Sequence, residues 1–380
     1  MSIKILFKLF LLSLLILFTL EVILRFQQRI GPIIDLEFEK VSLGCLSDLI
    51  NHKNIGESTS FFNGREIRKV YDKNGIRIDK SASNYSNYNH TFKILCMGDS
   101  TMEGFDDEDT IPRYIQEYLQ KTKMRGVPIR FLNAGCSSYS PAIFIPQAKM
   151  LIPLLKPDFV LIDIDETDLG DDFIRYKDLI VRDKIGKIIA VRRTPINYLF
   201  LSVFMQIKRQ PLYLTRLFSK IYHTRIYMPI VIKRYRGKDN QHPLSFSWDK
   251  DGSYKKYTTE ISFFENNLTE LVETFIDLMG EKRRILFIYH PHLQHINPDT
   301  SGFYWNSFVS GTIKKVCKKY QIAFYNATED LKTSFKNDQR KYYITNDMHF
   351  NYEGLKVYSD LVSDRLFLMI EPLIKEINKN

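Results

Sequence analysis

Lys93-Ile-Leu-Cys-Met-Gly-Asp-Ser-Thr-Met-Glu-Gly104 joins an apolar run to a small, acidic turn. An apolar run from Phe92 to Met97 stops at Gly98-Asp99-Ser100. Its length suits a buried strand of a parallel sheet, and the small and acidic residues after it end the strand. Ser100 then falls at the carboxyl edge of a strand and the amino end of whatever helix follows. Open α/β sheets bind their ligands at that edge. A serine there can act as a nucleophile, with nearby backbone N–H groups stabilising an oxyanion. Alone, Gly-Asp-Ser is a weak signal, because all three residue types are common.

A second stretch strengthens it. In Tyr343-Ile-Thr-Asn-Asp347-Met-His349-Phe-Asn351-Tyr-Glu-Gly354 a carboxylate and an imidazole sit two residues apart on a polar loop before a helix. Asp347 can orient the His349 ring while the other ring nitrogen faces Ser100, which supplies nucleophile, base and orienter. Between the two stretches, strand candidates at Phe92 to Met97, Ile129 to Asn133, Phe159 to Asp163, Ile285 to Tyr289 and Ile322 to Tyr325 alternate with helical patterns. The helices are expected at Ile111 to Lys123, Pro141 to Leu155, Ile261 to Gly280, Trp305 to Lys319 and Gly354 to Ile377. This alternation predicts an α/β fold: a three-layer, doubly wound parallel sheet of the flavodoxin-like kind.

These stretches resemble the SGNH (GDSL-type) hydrolase family over roughly residues 70 to 375. The resemblance is nearest to its membrane-anchored, extracytoplasmic branch, related to polysaccharide O-acetyltransferases. Further motifs carry it: Asn74-Gly75-Ile76-Arg77 before the first strand, Leu132-Asn133 with Ser140-Pro141 after the second, and Lys156-Pro157-Asp158 leading into the third. The resemblance implies Ser100 as nucleophile, His349 as base and Asp347 as its partner. It also implies an oxyanion hole from the Ser100 N–H, with two departures. The family glycine falls at Ser138 and the family asparagine at Thr167. Ser138 retains a backbone N–H and Thr167 offers a hydroxyl in place of an amide.

At the amino end, Lys4 and Lys8 precede the apolar run Leu9 to Leu20, which continues through Val22-Ile-Leu24. Together they reach about the 20 residues that a bilayer core requires. Residues 1–25 therefore read as an uncleaved signal anchor, a transmembrane helix, with a cleaved signal peptide as the competing reading. The basic amino end favours a cytoplasmic start and places the remaining chain outside the cytoplasm, in the periplasm or at the cell surface. Residues 26–90 read as a stalk and lead-in with little regular structure, with room for an edge element, and 91–378 as the hydrolase-like domain.

That domain carries a basic insertion at 186–250. Between Gly186 and Lys238 there are twelve Lys and Arg and no acidic residue, against a whole-chain net of +10, so the rest of the protein is near −2. Aromatic and aliphatic residues are interleaved with these charges, which suits an anionic membrane surface. A solvated helical cap and a site for an acidic glycan or other polymer compete with that reading. Nucleic acid is the least favoured partner and none is expected, since no nucleic-acid fold signature accompanies the charge and the anchor places the domain elsewhere.

Two polar clusters remain. Tyr289-His290-Pro-His292-Leu-Gln-His295 follows the fourth strand, but no carboxylate or cysteine stands beside it in the chain, and the reading is substrate contact or loop polarity, without a metal. The acidic run Asp163, Asp165, Glu166, Asp168, Asp171 and Asp172 lacks the glycine-punctuated loop of a calcium site and reads equally as substrate positioning or a solvated face. Asp99, Asp168 and His290 are the expected substrate contacts. Cys45, Cys96, Cys136 and Cys317 form no disulfide framework, and buried free thiols are the default. The expected activity is a serine esterase acting through an acyl-enzyme on an acylated glycan or lipid, with no cofactor. An O-acetyltransferase of cell-surface polysaccharide uses the same residues, and a catalytically weak glycan-binding or scaffold protein competes with both.

Overall fold

The strand at Phe92–Met97 (β1) is 0 % exposed at Ile94, Leu95, Cys96 and Met97, so both of its faces are covered. It pairs in parallel with Ile129–Asn133 (β2) on one side and Phe159–Ile164 (β3) on the other. Ile285–Tyr289 (β4) pairs in parallel with β3, and Ala323–Asn326 (β5) with β4, giving the order β5-β4-β3-β1-β2. This is the flavodoxin-like doubly wound order, whose chain reversal lies between β1 and β3. The protein is described here from a computed structural model covering residues 3–30, 45–62, 65–78, 91–106, 109–193, 212–222, 225, 248–249, 257–298, 306–335, 338–345 and 347–377.

Alternation along the strands builds two cores. Leu95, Met97, Val160, Ile162 and Phe287 face helices Pro141–Leu155 (α3), Thr258–Met279 (α5) and Phe308–Tyr320 (α6). Ile94, Cys96, Leu161 and Ile288 face Ile111–Thr122 (α2) and Tyr352–Ile377 (α7). Each fully buried aliphatic or aromatic side chain contributes about 1.5–3 kcal/mol, which is why these strands read as continuous apolar runs. Local signals set the helix ends. Thr110 accepts from the Arg113 N–H at the start of α2, and Gly280, at φ 72°, terminates α5. Helix α6 begins at Phe308, later than the expected Trp305, because the Ser307 hydroxyl accepts from the Ser310 N–H and caps it there.

At the amino end Ile3–Ile30 forms a single helix (α1), five residues longer than expected on its carboxyl side. Its Lys4–Gln27 segment has a mean hydropathy of 2.4 and is the one helix among the described residues long and apolar enough to cross a membrane.

The expectation of little regular structure between 26 and 90 is corrected for 45–78. Cys45–Ser47 pairs with Asn51–Lys53, and Gly56–Phe62 forms a hairpin with Arg65–Tyr71. Side chains of this region reach far-off loops: Tyr71 donates to Glu103 at 2.6 Å, and His52 Nε2 pairs with the Ser137 carbonyl at 2.9 Å. These long-range polar contacts leave no local sequence signal. The basic insertion lies largely outside the described residues. Its described parts include the strand Ile188–Val191, which pairs with Ile180–Arg182 just before the insertion, and an amphipathic helix at Tyr213–Tyr222 (α4). Cys96, Cys136 and Cys317 are buried free thiols.

Candidate active site

Ser100 stands at the carboxyl end of β1, as the first residue of a short helical turn, Ser100–Glu103. Asp99 caps that turn, accepting from the Thr101 N–H at 2.9 Å. The loop carrying His349 is shaped locally. Tyr343 and Phe350 form an antiparallel bridge, Ile344 N–H donates to the His349 carbonyl at 3.0 Å, and Asn351 caps α7 by accepting from the Gly354 N–H at 3.0 Å. A Cβ at Gly354 would lie 2.1 Å from the Tyr342 carbonyl oxygen, so this close approach admits only glycine.

The two loops meet. Ser100 Oγ lies 2.7 Å from His349 Nε2, and His349 Nδ1 lies 2.5 Å from Asp347 Oδ1. With the Nδ1 proton directed at Asp347, Nε2 is the acceptor for the serine proton. The Ser100 hydroxyl has a second acceptor, Asp99 Oδ2, at the longer distance of 3.1 Å. Asp347 also accepts from the His349 backbone N–H at 3.1 Å. Partial burial works to raise its pKa, and the His349 backbone and ring hydrogen bonds outweigh it, so the carboxyl is held below its ordinary value. The His349 side chain is 24 % exposed and that of Asp347 41 %, so the chain of hydrogen bonds opens to solvent.

Ser138 sits at φ 64°, in the left-handed region that a glycine would occupy without strain. Two contacts hold it there: Tyr176 donates to its carbonyl at 2.6 Å, and Arg175 donates to its hydroxyl. Arg175 is itself paired with Asp171 at 2.9 Å. Thr167 departs from the expected role. Its N–H and its hydroxyl both donate to Asp165 Oδ1, at 2.7 and 2.6 Å, so the hydroxyl is committed within its own loop.

Glu103, which the sequence did not single out, organises the neighbouring loop. It is buried and accepts from Lys69 Nζ at 2.8 Å, Tyr71 OH at 2.6 Å, and the N–H and hydroxyl of Ser137 at 2.8 and 2.7 Å. Desolvation alone would raise its pKa, but Lys69 and these hydrogen bonds overcome it and hold the carboxyl down to about 2. A lone glutamate in a first helical turn reads as a partner of the helix dipole, so only the tertiary structure reveals this hub.

The expected substrate contacts are buried, with Asp99 beside Ser100. Asp99, Asp168 and His290 are all buried, as are Asp163, Asp165, Glu166, Asp171 and Asp172, so the acidic run is no solvated face. It packs instead against the histidine motif of β4. His290 Nδ1 lies 3.1 Å from Asp163 Oδ1, and His292 Nε2 lies 3.1 Å from Asp165 Oδ2. Burial works against a charged His290, and Asp163 and Asp165 more than reverse this, raising its pKa well above the ordinary value. His295 goes the other way, down to about 3, through burial and the neighbouring His292.

No protein-family model matches the chain, and no curated protein sequence matches it. Among solved structures, the acetylxylan esterase Axe2 from Geobacillus stearothermophilus is similar over 73 % of this chain and 93 % of its own, at 12 % identity and a TM-score of 0.41. A lipase/acylhydrolase from Enterococcus faecalis covers 72 % of this chain and 94 % of its own, at 12 % identity and a TM-score of 0.38. LAE5, an α/β hydrolase from the metagenome of Lake Arreo, covers 73 % and 96 %, at 11 % identity and a TM-score of 0.40. At these scores the assignment of chemistry rests on the geometry of Ser100, His349 and Asp347.

Proposed function

We propose that this protein is a membrane-anchored serine hydrolase that cleaves an acyl ester outside the cytoplasm, as an SGNH-type enzyme would. The observation that carries the reading is the solvent-accessible chain Ser100 Oγ, His349 Nε2/Nδ1, Asp347 Oδ1 at 2.7 and 2.5 Å. Ser100 Oγ attacks the acyl carbonyl as its proton passes to His349 Nε2, while Asp347 stabilises the imidazolium. The oxyanion is received by the backbone N–H groups of Ser100 and Ser138; the Thr167 hydroxyl is not part of this donor set. His349 then protonates the departing alkoxide and leaves an acyl-enzyme. Water completes hydrolysis, and a sugar hydroxyl in its place would complete transfer with the same residues. Acylated glycans and lipids are the substrate classes we propose.

The anchor reading draws support from contacts between α1 and α4. Glu21 of α1 accepts from the N–H groups of Tyr213 and Leu214 at 3.0 and 2.8 Å, capping α4, and Arg25 lies 5.4 Å from the centre of the Tyr213 ring. Helix α4 thereby joins the carboxyl-terminal part of the apolar helix with Leu212, Phe218 and Ile221 exposed, as an interfacial helix would be. In anionic proteoliposomes, Phe218→Trp should add fluorescence that brominated lipid quenches; unquenched added fluorescence would sink the interfacial placement.

The test of the activity is fluorophosphonate labelling of the full-length, detergent-solubilised chain beside Ser100→Ala and His349→Ala. Labelling lost in both variants supports an activated serine. A folded wild-type protein that does not label overturns the reading and leaves a binding protein. Acetyl donors offered with and without glycan acceptors then separate hydrolysis from transfer.

A further inference from the structure

The loops after β1, β3 and β4, three neighbouring strands, bring five side chains together. Asp99, Asp165 and Asp168 each offer a carboxylate oxygen within 4.8 Å of the others, and so do Asp165, His290 and His292 with one oxygen and two ring nitrogens. Asp165 belongs to both groups. All five residues are buried, and Asp168 is 0 % exposed. The histidine motif thus has the carboxylates that it lacks along the chain.

We propose that Asp99, Asp165, Asp168, His290 and His292 form a binding site for a divalent first-row metal cation of the zinc or manganese type. Three observations lead there. Neither carboxylate oxygen of Asp168 has a hydrogen-bond partner among the described residues, although every other member of the group has one. An ionised carboxylate buried in that state is strongly unfavourable unless a cation or a proton meets it. His290 Nδ1 is engaged by Asp163 at 3.1 Å, which leaves Nε2 facing Thr101 Oγ1 at 3.1 Å and Asp165 at 3.5 Å. A carboxylate fixing the far nitrogen of a histidine is the usual support of a metal-binding imidazole. His292 Nε2 stands 3.1 Å from the same Asp165 oxygen. Donor separations of about 3.0–3.5 Å are what metal–donor bonds of about 2.1 Å give at octahedral or tetrahedral angles.

Mixed imidazole and carboxylate donors suit zinc, manganese or iron(II) better than calcium, which takes oxygen donors. Asp99 stands between the group and the Ser100 hydroxyl, so the cation would act by fixing the loop that carries the nucleophile.

The alternative is a set of carboxyls sharing protons, and one experiment separates the two. The full-length chain in detergent is stripped with a chelator and titrated with Zn²⁺ or Mn²⁺, while bound metal and the thermal midpoint are measured at pH 7. The proposal expects about one equivalent retained and a rise in midpoint. Asp168→Asn and His292→Gln should each weaken binding about 100-fold, and Asp163→Asn, which alters the support of the His290 ring and the Tyr358 hydroxyl contact, by about 10-fold to 100-fold. Absence of retained metal and of any midpoint rise overturns it. So does binding undiminished in both Asp168→Asn and His292→Gln, which would place the metal elsewhere. Neither readout depends on Ser100 reacting, so failure of this site and failure of the hydrolase reading are distinguishable.

Discussion

Two hydroxyl–imidazole–carboxylate chains lie side by side in this protein, one residue apart in the sequence. Ser100, His349 and Asp347 form the first, at 2.7 and 2.5 Å. Thr101 Oγ1, His290 and Asp163 form the second, at 3.1 and 3.1 Å. Successive residues on a helical turn point about 100° apart, so Ser100 and Thr101 face different surroundings. The His349 side chain is 24 % exposed and that of His290 is 2 %. The difference teaches that residue types and hydrogen-bond order do not make a nucleophile. A substrate must reach the hydroxyl, and an uncharged imidazole must be able to take its proton. His290, closed in by Asp163, Asp165 and Thr101 and only 2 % exposed, has no room for a substrate beside it.

The comparison can be broken most directly at the two hydroxyls. Ser100→Ala should abolish fluorophosphonate labelling and lower ester turnover by about 10⁴-fold or more. Thr101→Val, in a folded protein, should leave labelling within about tenfold. If the two variants lose labelling equally, accessibility is not what distinguishes the chains. Asp347→Asn comes next, with turnover expected to fall by about 10²- to 10⁴-fold because the ring loses its orienting partner, read as kcat on a chromogenic acyl ester.

Glu103, beside the first chain, acts on stability. Its folded pKa of about 2 lies below its ordinary 4.5, so its contribution is fully present above pH 4.5 and is lost as pH falls toward 2. Glu103→Gln should therefore cost on the order of 3 kcal/mol near neutral pH, with wild type and variant converging at the acid end of a series of unfolding curves. The smallest effect is expected at Ser138. In Ser138→Gly, relief of the left-handed backbone opposes loss of the Arg175 contact, so unfolding free energy should change by less than about 1 kcal/mol and turnover by less than about tenfold.

Strands β1, β2 and β4 and helix α3 fall at the expected residues, because buried parallel strands and their helices announce themselves by apolar runs and turn residues. The Ser100 and His349 loops were readable for the same reason: each is a short polar break at a strand or helix end. Lys69, Tyr71, Arg175 and Glu103 gave no such signal. Their partners lie 34, 32, 37 and 34 residues away, at Glu103, Glu103, Ser138 and Ser137, and a single charge in a half-polar stretch reads as surface.

By itself, the sequence determined the layered α/β architecture, the apolar amino-terminal helix and the pairing of a serine loop with an Asp-x-His loop. These follow from local periodicity and turn chemistry, which act over a few residues. The tertiary structure alone decided what the charges do. The acidic run and the three histidines read in the chain as substrate contacts or as solvated loops, and they become one buried layer because β3 and β4 are adjacent in the sheet and end at the same edge. Which carboxylate meets a proton donor, which is left without one, and which imidazole stays open to solvent are set by strand order and burial, and neither is a property of neighbours in sequence.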